Sequence, residues 1–359
     1  MGSLEPAARD DRFPYDRIAP EQRWDRAVEQ GGFDDYDPQG TVRFTFDRST
    51  VFASAGSCFA HRIASSLLGS SLRYLQAEPG PAWLDGAQRA QYNYGPLPAR
   101  FGNVYTSLQL LQLLRRACGS YVPQEHAWEA GDGYADAFRP HVQPGGFETV
   151  PLLLRDRAFH LAAVNRMFRE LDVFIFTLGL TEVWRARADG AAFPRCPGRG
   201  LGRFDADRYE LENLGVAENV RYLREFLAEL RAINPGAKVV LSVSPVPMAA
   251  TVDAPHVARA SAYAKAVLRA AAEEVVCADA GTDYFAAYEL VTSPYFGATL
   301  FEPDRRHVSA AGVERVMRMF YRHYLKDVPV AAAPPHDERT PYAVHAAPCD
   351  EDDVLNLLA

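Results

Sequence analysis

The chain has 359 residues, 48% of them hydrophobic, and 38 Lys and Arg against 46 Asp and Glu give a formal net charge of −8. That apolar share suffices for a sizeable core, and the acidic balance argues against nucleic acid or an anionic membrane surface as a partner. No run of about eighteen apolar residues is present to span a bilayer, and the first twenty residues lack the apolar core of a secretory signal, so the expectation is a cytoplasmic protein.

Residues 1–40 are polar and rich in Asp, Gly and Pro, which predicts an extended N-terminal segment. The run "TVFASA" (Thr50–Ala55) then predicts a buried strand leading into the helix "CFAHRIASSLLGS". The Pro-, Gly- and aromatic-rich stretch from about 78 to 150 does not alternate strand with helix and reads as an insertion capping one end of a sheet. Next, a helix ending "NRMFREL" precedes the strand "DVFIFTL" (Asp172–Leu178). In the helix "ENVRYLREFLAELRAINPG", Val220, Leu223, Phe226, Leu227 and Leu230 share one face, and the strand "AKVVLSVSP" follows. A helix "VARASAYAKAVLRAAAEEV", a fourth strand at "VVCADA" and a last helix "SAAGVERVMRMFYRHYLKD" complete the series. Short apolar runs between amphipathic helices are the mark of a parallel sheet buried on both faces. The expected fold is therefore an α/β three-layer sandwich with a mostly parallel sheet.

Residues 327–359 form a Pro/Ala-rich linker ending in "DEDDVLNLLA", where four acids join Val354, Leu355, Leu357 and Leu358. Such a tip folds on binding a partner or serves as a solubilising tail. The five cysteines (Cys58, Cys118, Cys196, Cys277 and Cys349) are odd in number and unevenly spaced, which fits neither a disulfide framework nor a zinc knuckle. No cofactor is expected.

In an open parallel sheet the ligand crevice lies beyond the carboxyl ends of the strands. This chain places "GSC", "GLTEVW" and "SPVP" there, and "EPDRRHVS" before the last helix. Each is an ordinary turn composition, but four together point to a site. In "DRRH", Asp304 is spaced to orient the imidazole of His307, a base matched to neutral pH. A Ser or Cys opening a helix, as at Ser57 and Cys58, gains from the helix dipole and from amides that hold an oxyanion.

The segments "AGSCFAHRIA", "FGNVYTSLQLLQLLRRA", "FTLGLTEVW", "NPGAKVVLSVSPVP", "HVARASAYAKAVLRA", "DYFAAYELV" and "DRRHVSAAGVERVMRMF" follow one another over roughly residues 40–325. Together they resemble the GSCFA-domain proteins, a branch of the SGNH (GDSL-type) hydrolase-like superfamily. The resemblance implies a flavodoxin-like SGNH hydrolase fold over residues 41–326. It also implies an acyltransferase or acyl (thio)esterase working through a covalent acyl-enzyme. The C-terminal tip adds secondary-metabolite or polysaccharide tailoring as the expected setting of such an enzyme. Its partners would be a small-molecule acyl donor and acceptor, with a carrier protein or synthetase docked through the C-terminal tip.

Laid on the superfamily's Gly-Asp-Ser block, Gly56-Ser57-Cys58 makes Cys58 the nucleophile; sliding the match by one makes it Ser57. The second block falls on Gly102, with Asn103 beside it as an amide donor. The third block, Gly-x-Asn-Asp, becomes Gly179-Leu180-Thr181-Glu182 here, a departure. Thr181 would be a shorter-reaching oxyanion donor, and Glu182 would bind substrate, act in acid–base chemistry, or pair with Arg185 or Arg187. Asp304 and His307 match the Asp-x-x-His block, with His256 a competing base or substrate ligand. Tyr105, Trp184 and Arg269 are pocket candidates, Tyr263 projects from the same helix as Lys265, and Lys265 itself reads as a solvated surface charge. Two rival readings are a catalytically inert glycan- or metabolite-binding protein on the same scaffold and a metal-dependent hydrolase using Asp304, His307 and Glu182. The second lacks any close ligand motif.

Overall fold

The computed structural model describes residues 13–296 and 299–326. Its elements run in the order β1 (Val51–Ala55), α1 (Cys58–Leu68), β2 (Arg73–Tyr74), α2 (Gly86–Gln91), α3 (Ser107–Cys118), β3 (Ala127–Ala130), β4 (Gly133–Asp136) and α4 (Val150–Glu170). There follow β5 (Val173–Leu178), β6 (Glu182–Ala186), β7 (Ala192–Phe193), β8 (Tyr209–Asn213), α5 (Val216–Ile233), β9 (Lys238–Val243), α6 (Val257–Ala278), β10 (Thr282–Tyr284), α7 (Ala287–Thr292) and α8 (Ala310–Tyr324).

Five strands form a parallel sheet in the order β2-β1-β5-β9-β10. Counted along the chain this is 2-1-3-4-5, the flavodoxin-like doubly wound order. All six residues of β5 are buried, because helices cover both faces of the sheet. In register, Phe52 to Ala55 pair with Val173 to Phe176, and β5 pairs onward from Val173↔Lys238 to Leu178↔Val243. The carboxyl ends of β1, β5 and β9 thus lie close together. α1 packs on α8, while α3, α4, α5 and α6 pack in series. No helix among the described residues is long and apolar enough to cross a membrane.

Three regions refine the sequence reading. The expected strand "VVCADA" is not one: Val275 and Val276 extend the buried stripe of Leu268, Ala271 and Ala272, so α6 continues to Ala278. The strand forms only after a turn in which Asp279 accepts from Gly281 N and Thr282 Oγ1. Within the stretch 78–150, α3 belongs to the helical layer, since Leu110, Leu111, Leu113 and Leu114 are buried and pack toward α4 and α5. The rest of that stretch carries α2 and the antiparallel pair β3–β4. A second antiparallel sheet, β7-β6-β8, grows from the end of β5.

From Phe13 the N-terminal segment makes short helical turns and is then strapped to the domain. Asp37 takes His323 Nε2 at 2.8 Å and Arg322 Nη1 at 3.1 Å, and Gln39 bonds Tyr284 O and Ala286 N. The acidic C-terminal tip lies outside the described residues.

Candidate active site

β1 ends where the sheet order reverses, between β2 and β5, and the chain must turn sharply there. Gly56 permits the turn. Its φ is +152°, and a Cβ would stand 2.8 Å from Thr177 O and 2.7 Å from Ala60 Cβ. Ser57 is the N-cap of α1 and Cys58 its first residue.

The loop 101–106 is stitched between the two strand ends by backbone bonds. Val104 N donates to Gly56 O at 2.9 Å, while Gly179 N and Leu180 N donate to Tyr105 O at 2.9 and 3.1 Å. Thr106 caps α3, and Gln109 Oε1 reaches back to the amides of Tyr105 and Thr106. Gly102, at φ +68°, turns the loop, and Asn103 is 5% exposed. From the other side Lys265 Nζ donates to Gly179 O at 2.8 Å. The expected surface charge is thus a buried tie: Lys265 follows Ser261 and Ala264 on the inward face of α6. Burial of a polar head in this way requires such an acceptor. Tyr263, by contrast, points outward and is exposed.

Ser57 and Cys58 are both buried, at 4% and 8% exposure. Ser57 Oγ lies 3.4 Å from the point where a Cβ on Gly179 would stand, wedged between the ends of β1 and β5. Cys58 packs beside the apolar core at the amino end of α1, where the helix dipole favours negative charge.

Asp304 and His307 sit in a hairpin closed by the Phe301↔Val308 bridge and by Ser309 N donating to Leu300 O at 2.7 Å. Gly312 lets α8 nest against it, for a Cβ there would stand 2.7 Å from Leu300 O. His307 Nδ1 donates to Asp304 Oδ2 at 2.5 Å, and Asp304 Oδ1 accepts from Arg306 N and His307 N at 2.9 and 3.0 Å. Led by the His307 bond, these hold the Asp304 carboxyl down at about 2. This tautomer leaves Nε2 as an acceptor, and Arg306 Nη1 stands 3.4 Å from it. Arg306, missed in the sequence reading, is 8% exposed and donates from Nε to Pro247 O at 3.3 Å. It thereby ties the hairpin to the loop after β9, at the carboxyl end of the sheet. The signal for it was the unusual "RR" inside "DRRH".

The remaining candidates divide. His256 is exposed and caps α6, its Nδ1 accepting from Ala258 N at 3.1 Å. Tyr105 is buried at 2% in the stitched loop. Thr181 is 1% exposed, its Oγ1 has no partner among the described residues, and its carbonyl accepts from Leu214 N. Glu182 opens β6 and accepts from Thr251 Oγ1 at 2.6 Å. Arg185 pairs with Glu212, and Arg187 with Glu210, across to β8. Trp184 lies on β6 edge-on to Phe204 at 5.6 Å. Arg269 is drawn into ion pairs with Glu273 and Glu289 and lies over the Tyr284 ring. Among the described residues no group of three or more His, Cys, Asp or Glu is arranged to hold a metal.

A doubly wound parallel α/β domain with the loop 101–106 stitched between the ends of β1 and β5 defines the class of protein. The chain belongs to the GSCFA family, whose model matches residues 51–320. None of the curated proteins matches it. Among solved structures it is similar to a carbohydrate esterase family 2 enzyme with a carbohydrate-binding domain from Corynascus thermopiles (Myceliophthora fergusii). That similarity has 14% identity and a TM-score of 0.31, over 77% of this chain and 65% of the esterase. A second solved structure matches at 22% identity and a TM-score of 0.26, over 45% of this chain and 68% of its own.

Proposed function

We propose that this GSCFA protein is an acyl-transfer enzyme, an esterase or thioesterase or an acyltransferase, with Cys58 as nucleophile, His307 as base and Asp304 fixing the imidazole. The observation that carries the reading is the 2.5 Å His307–Asp304 bond. It fixes the tautomer in which Nε2 is the acceptor, and the reading pairs that nitrogen with Cys58, which opens a helix after β1.

His307 Nε2 takes the thiol proton, and the thiolate attacks the acyl carbonyl to form a tetrahedral oxyanion. Amides in the first turn of α1, helped by Gly102 and Asn103, hold that charge. Collapse expels the alcohol or thiol of the donor, which receives the proton from His307 and leaves a thioester. Water or an amine or alcohol acceptor then attacks, His307 again removing its proton, and the thiol is restored. In this reading Ser57 stands where the superfamily has Asp, and its wedged position beside Gly179 makes it a positioning residue.

Intact-protein mass spectrometry after incubation with acyl thioesters and acetylated sugars tests the assignment. An adduct present in wild type and in Ser57→Ala but absent in Cys58→Ala is expected; the reverse pattern moves the nucleophile to Ser57. The second reading, a binding protein without catalysis, is favoured by the packing of Cys58 among apolar side chains, where cysteines serve as small hydrophobes. Iodoacetamide near neutral pH separates the two. The enzyme reading expects Cys58 to label faster than the exposed Cys118 and Cys277, and the binder expects it to label more slowly. Docking of a carrier protein through the C-terminal tip is part of the same proposal, and unchanged partner affinity after deletion of residues 345–359 would remove it.

A further inference from the structure

Behind the loop that carries Asn103, charges lie buried that the acyl chemistry does not use. Asp136, fully buried, accepts from Arg139 Nε at 3.0 Å and Arg157 Nη2 at 2.6 Å. Asp156 takes Arg100 and Arg139, at 2.9 and 2.8 Å. Glu78 accepts from His160 Nδ1 and from Arg100 N, both at 2.8 Å. With Arg116, four guanidinium groups stand against these three carboxylates. The cluster keeps one positive charge in excess.

That charge resides on Arg116, in the last turn of α3 and 9% exposed. Its guanidinium lies 3.9 Å above the Phe138 ring, and its Nε and Nη2 have no hydrogen-bond partner among the described residues. Arg139 Nη1 and His160 Nε2 are also without partners there, in residues 2% and 0% exposed. All three side chains line one cavity of about 20 Å³ that also touches Asn103 and Phe138. Burial pushes Arg116 down to about 9 against the pull of the Asp136 carboxylate, with the charges of Arg157 and Arg139 adding to the fall.

The chemistry of the vacant atoms is specific. Nε and Nη2 share one edge of the guanidinium plane, and their parallel N–H bonds match the two oxygens of a carboxylate. His160, whose Nδ1–H donates to Glu78, presents Nε2 as an acceptor, so it takes a donor such as water or a hydroxyl. We propose that this cavity binds a carboxylate-bearing small molecule, gripped in a fork by Arg116 with Arg139 Nη1 beside it. The carboxylate comes either from a free small acid or from the acyl substrate itself; only the latter rests on the function proposed above.

Calorimetric titration of the full chain with formate, acetate and glycolate, against methanesulfonate at matched ionic strength as the blank, tests it. Saturable binding of at least one carboxylate is expected, with a matching rise in melting temperature. Binding is lost in Arg116→Met and falls about ten-fold or more in Arg116→Lys, because an ammonium cannot form the fork. Absence of saturable binding to wild type overturns the proposal even where Arg116→Met fails to fold. Undiminished binding in Arg116→Met also overturns it. Given binding, Cys58 acylation rates with carboxylated and neutral acyl thioesters separate the two sources. A loss confined to the carboxylated donor in Arg116→Lys assigns the carboxylate to the substrate, and equal rates assign it to a free acid. Should no acyl adduct form at all, the binding isotherm still decides the matter.

Discussion

At the carboxyl end of the sheet, polar groups are placed mainly by backbone: the loop 101–106 is held to Gly56, Gly179 and Leu180 by main-chain bonds, and Asp304 rests on the amides of Arg306 and His307. Behind that loop the opposite holds. Asp136, Asp156 and Glu78 are held mainly by the side chains of Arg100, Arg139, Arg157 and His160, with one backbone amide each on Asp136 and Glu78. The difference matters because a backbone-held site survives the loss of a side chain that does chemistry, whereas a buried side-chain network does not survive the loss of a member. One region is held chiefly by main-chain bonds and the other chiefly by buried ion pairs.

The largest test of that contrast is Asp136→Asn, which leaves Arg139 and Arg157 buried without their shared carboxylate. It should cost about 3–5 kcal/mol in denaturant unfolding. Second, His307→Ala should lower the rate of acyl-enzyme formation by about 10²–10⁴-fold with little shift in the unfolding midpoint, because the Asp304–His307 pair is partly solvated. A midpoint shift as large as that of Asp136→Asn would break the comparison.

Third comes pH. Burial, followed by the charge of Arg139, pushes His160 from 6.5 down to about 4. Between those values the unfolded chain binds more protons than the folded one, so stability is full above about pH 6.5 and falls as the pH drops toward 4, by about 3 kcal/mol. Glu78 acts lower: burial opposes its ionisation, but the His160 bond and nearby charges hold it at about 2. Its contribution is present above about pH 4.5 and is lost as the pH falls through 2. Melting curves from pH 7 to 4 should show the His160 loss in wild type and a smaller one in His160→Asn. The least effect is expected from His256→Ala, which removes a helix cap worth about 0.5–1 kcal/mol and leaves acylation unchanged. A large loss of acylation there would return His256 to the list of bases.

Much of the site could be read from strand ends. "GSC" and "GLTE" each fall where a short apolar run stops, and the period that marks a buried strand also marks its end, whereas "DRRH" is marked by its Asp-x-x-His spacing before the last helix. What escaped was everything set by partners distant in sequence. Lys265 looked solvated because its helix is rich in Ala and tolerates charge on most faces, and only its approach to Gly179 shows that it is buried. His256 read as a competing base or substrate ligand, and only the structure shows that its Nδ1 also caps α6. "VVCADA" has strand-forming residues, but the stripe of α6 outweighs local propensity. Nothing in the spacing of Arg116, Arg139 and Arg157 discloses a shared cluster with Asp136.

The sequence by itself determined the α/β alternation, the parallel sheet and the placing of Ser57, Cys58 and Glu182 just beyond strand ends, because hydrophobic period and turn residues are local properties of the chain. The tertiary structure alone decided the 2-1-3-4-5 order of the five strands, the stitching of the 101–106 loop between β1 and β5, and the surplus guanidinium beside Phe138. Those depend on contacts between residues tens to more than a hundred positions apart, and burial, which sets the strength of every charge interaction among them, exists only once the layers have closed.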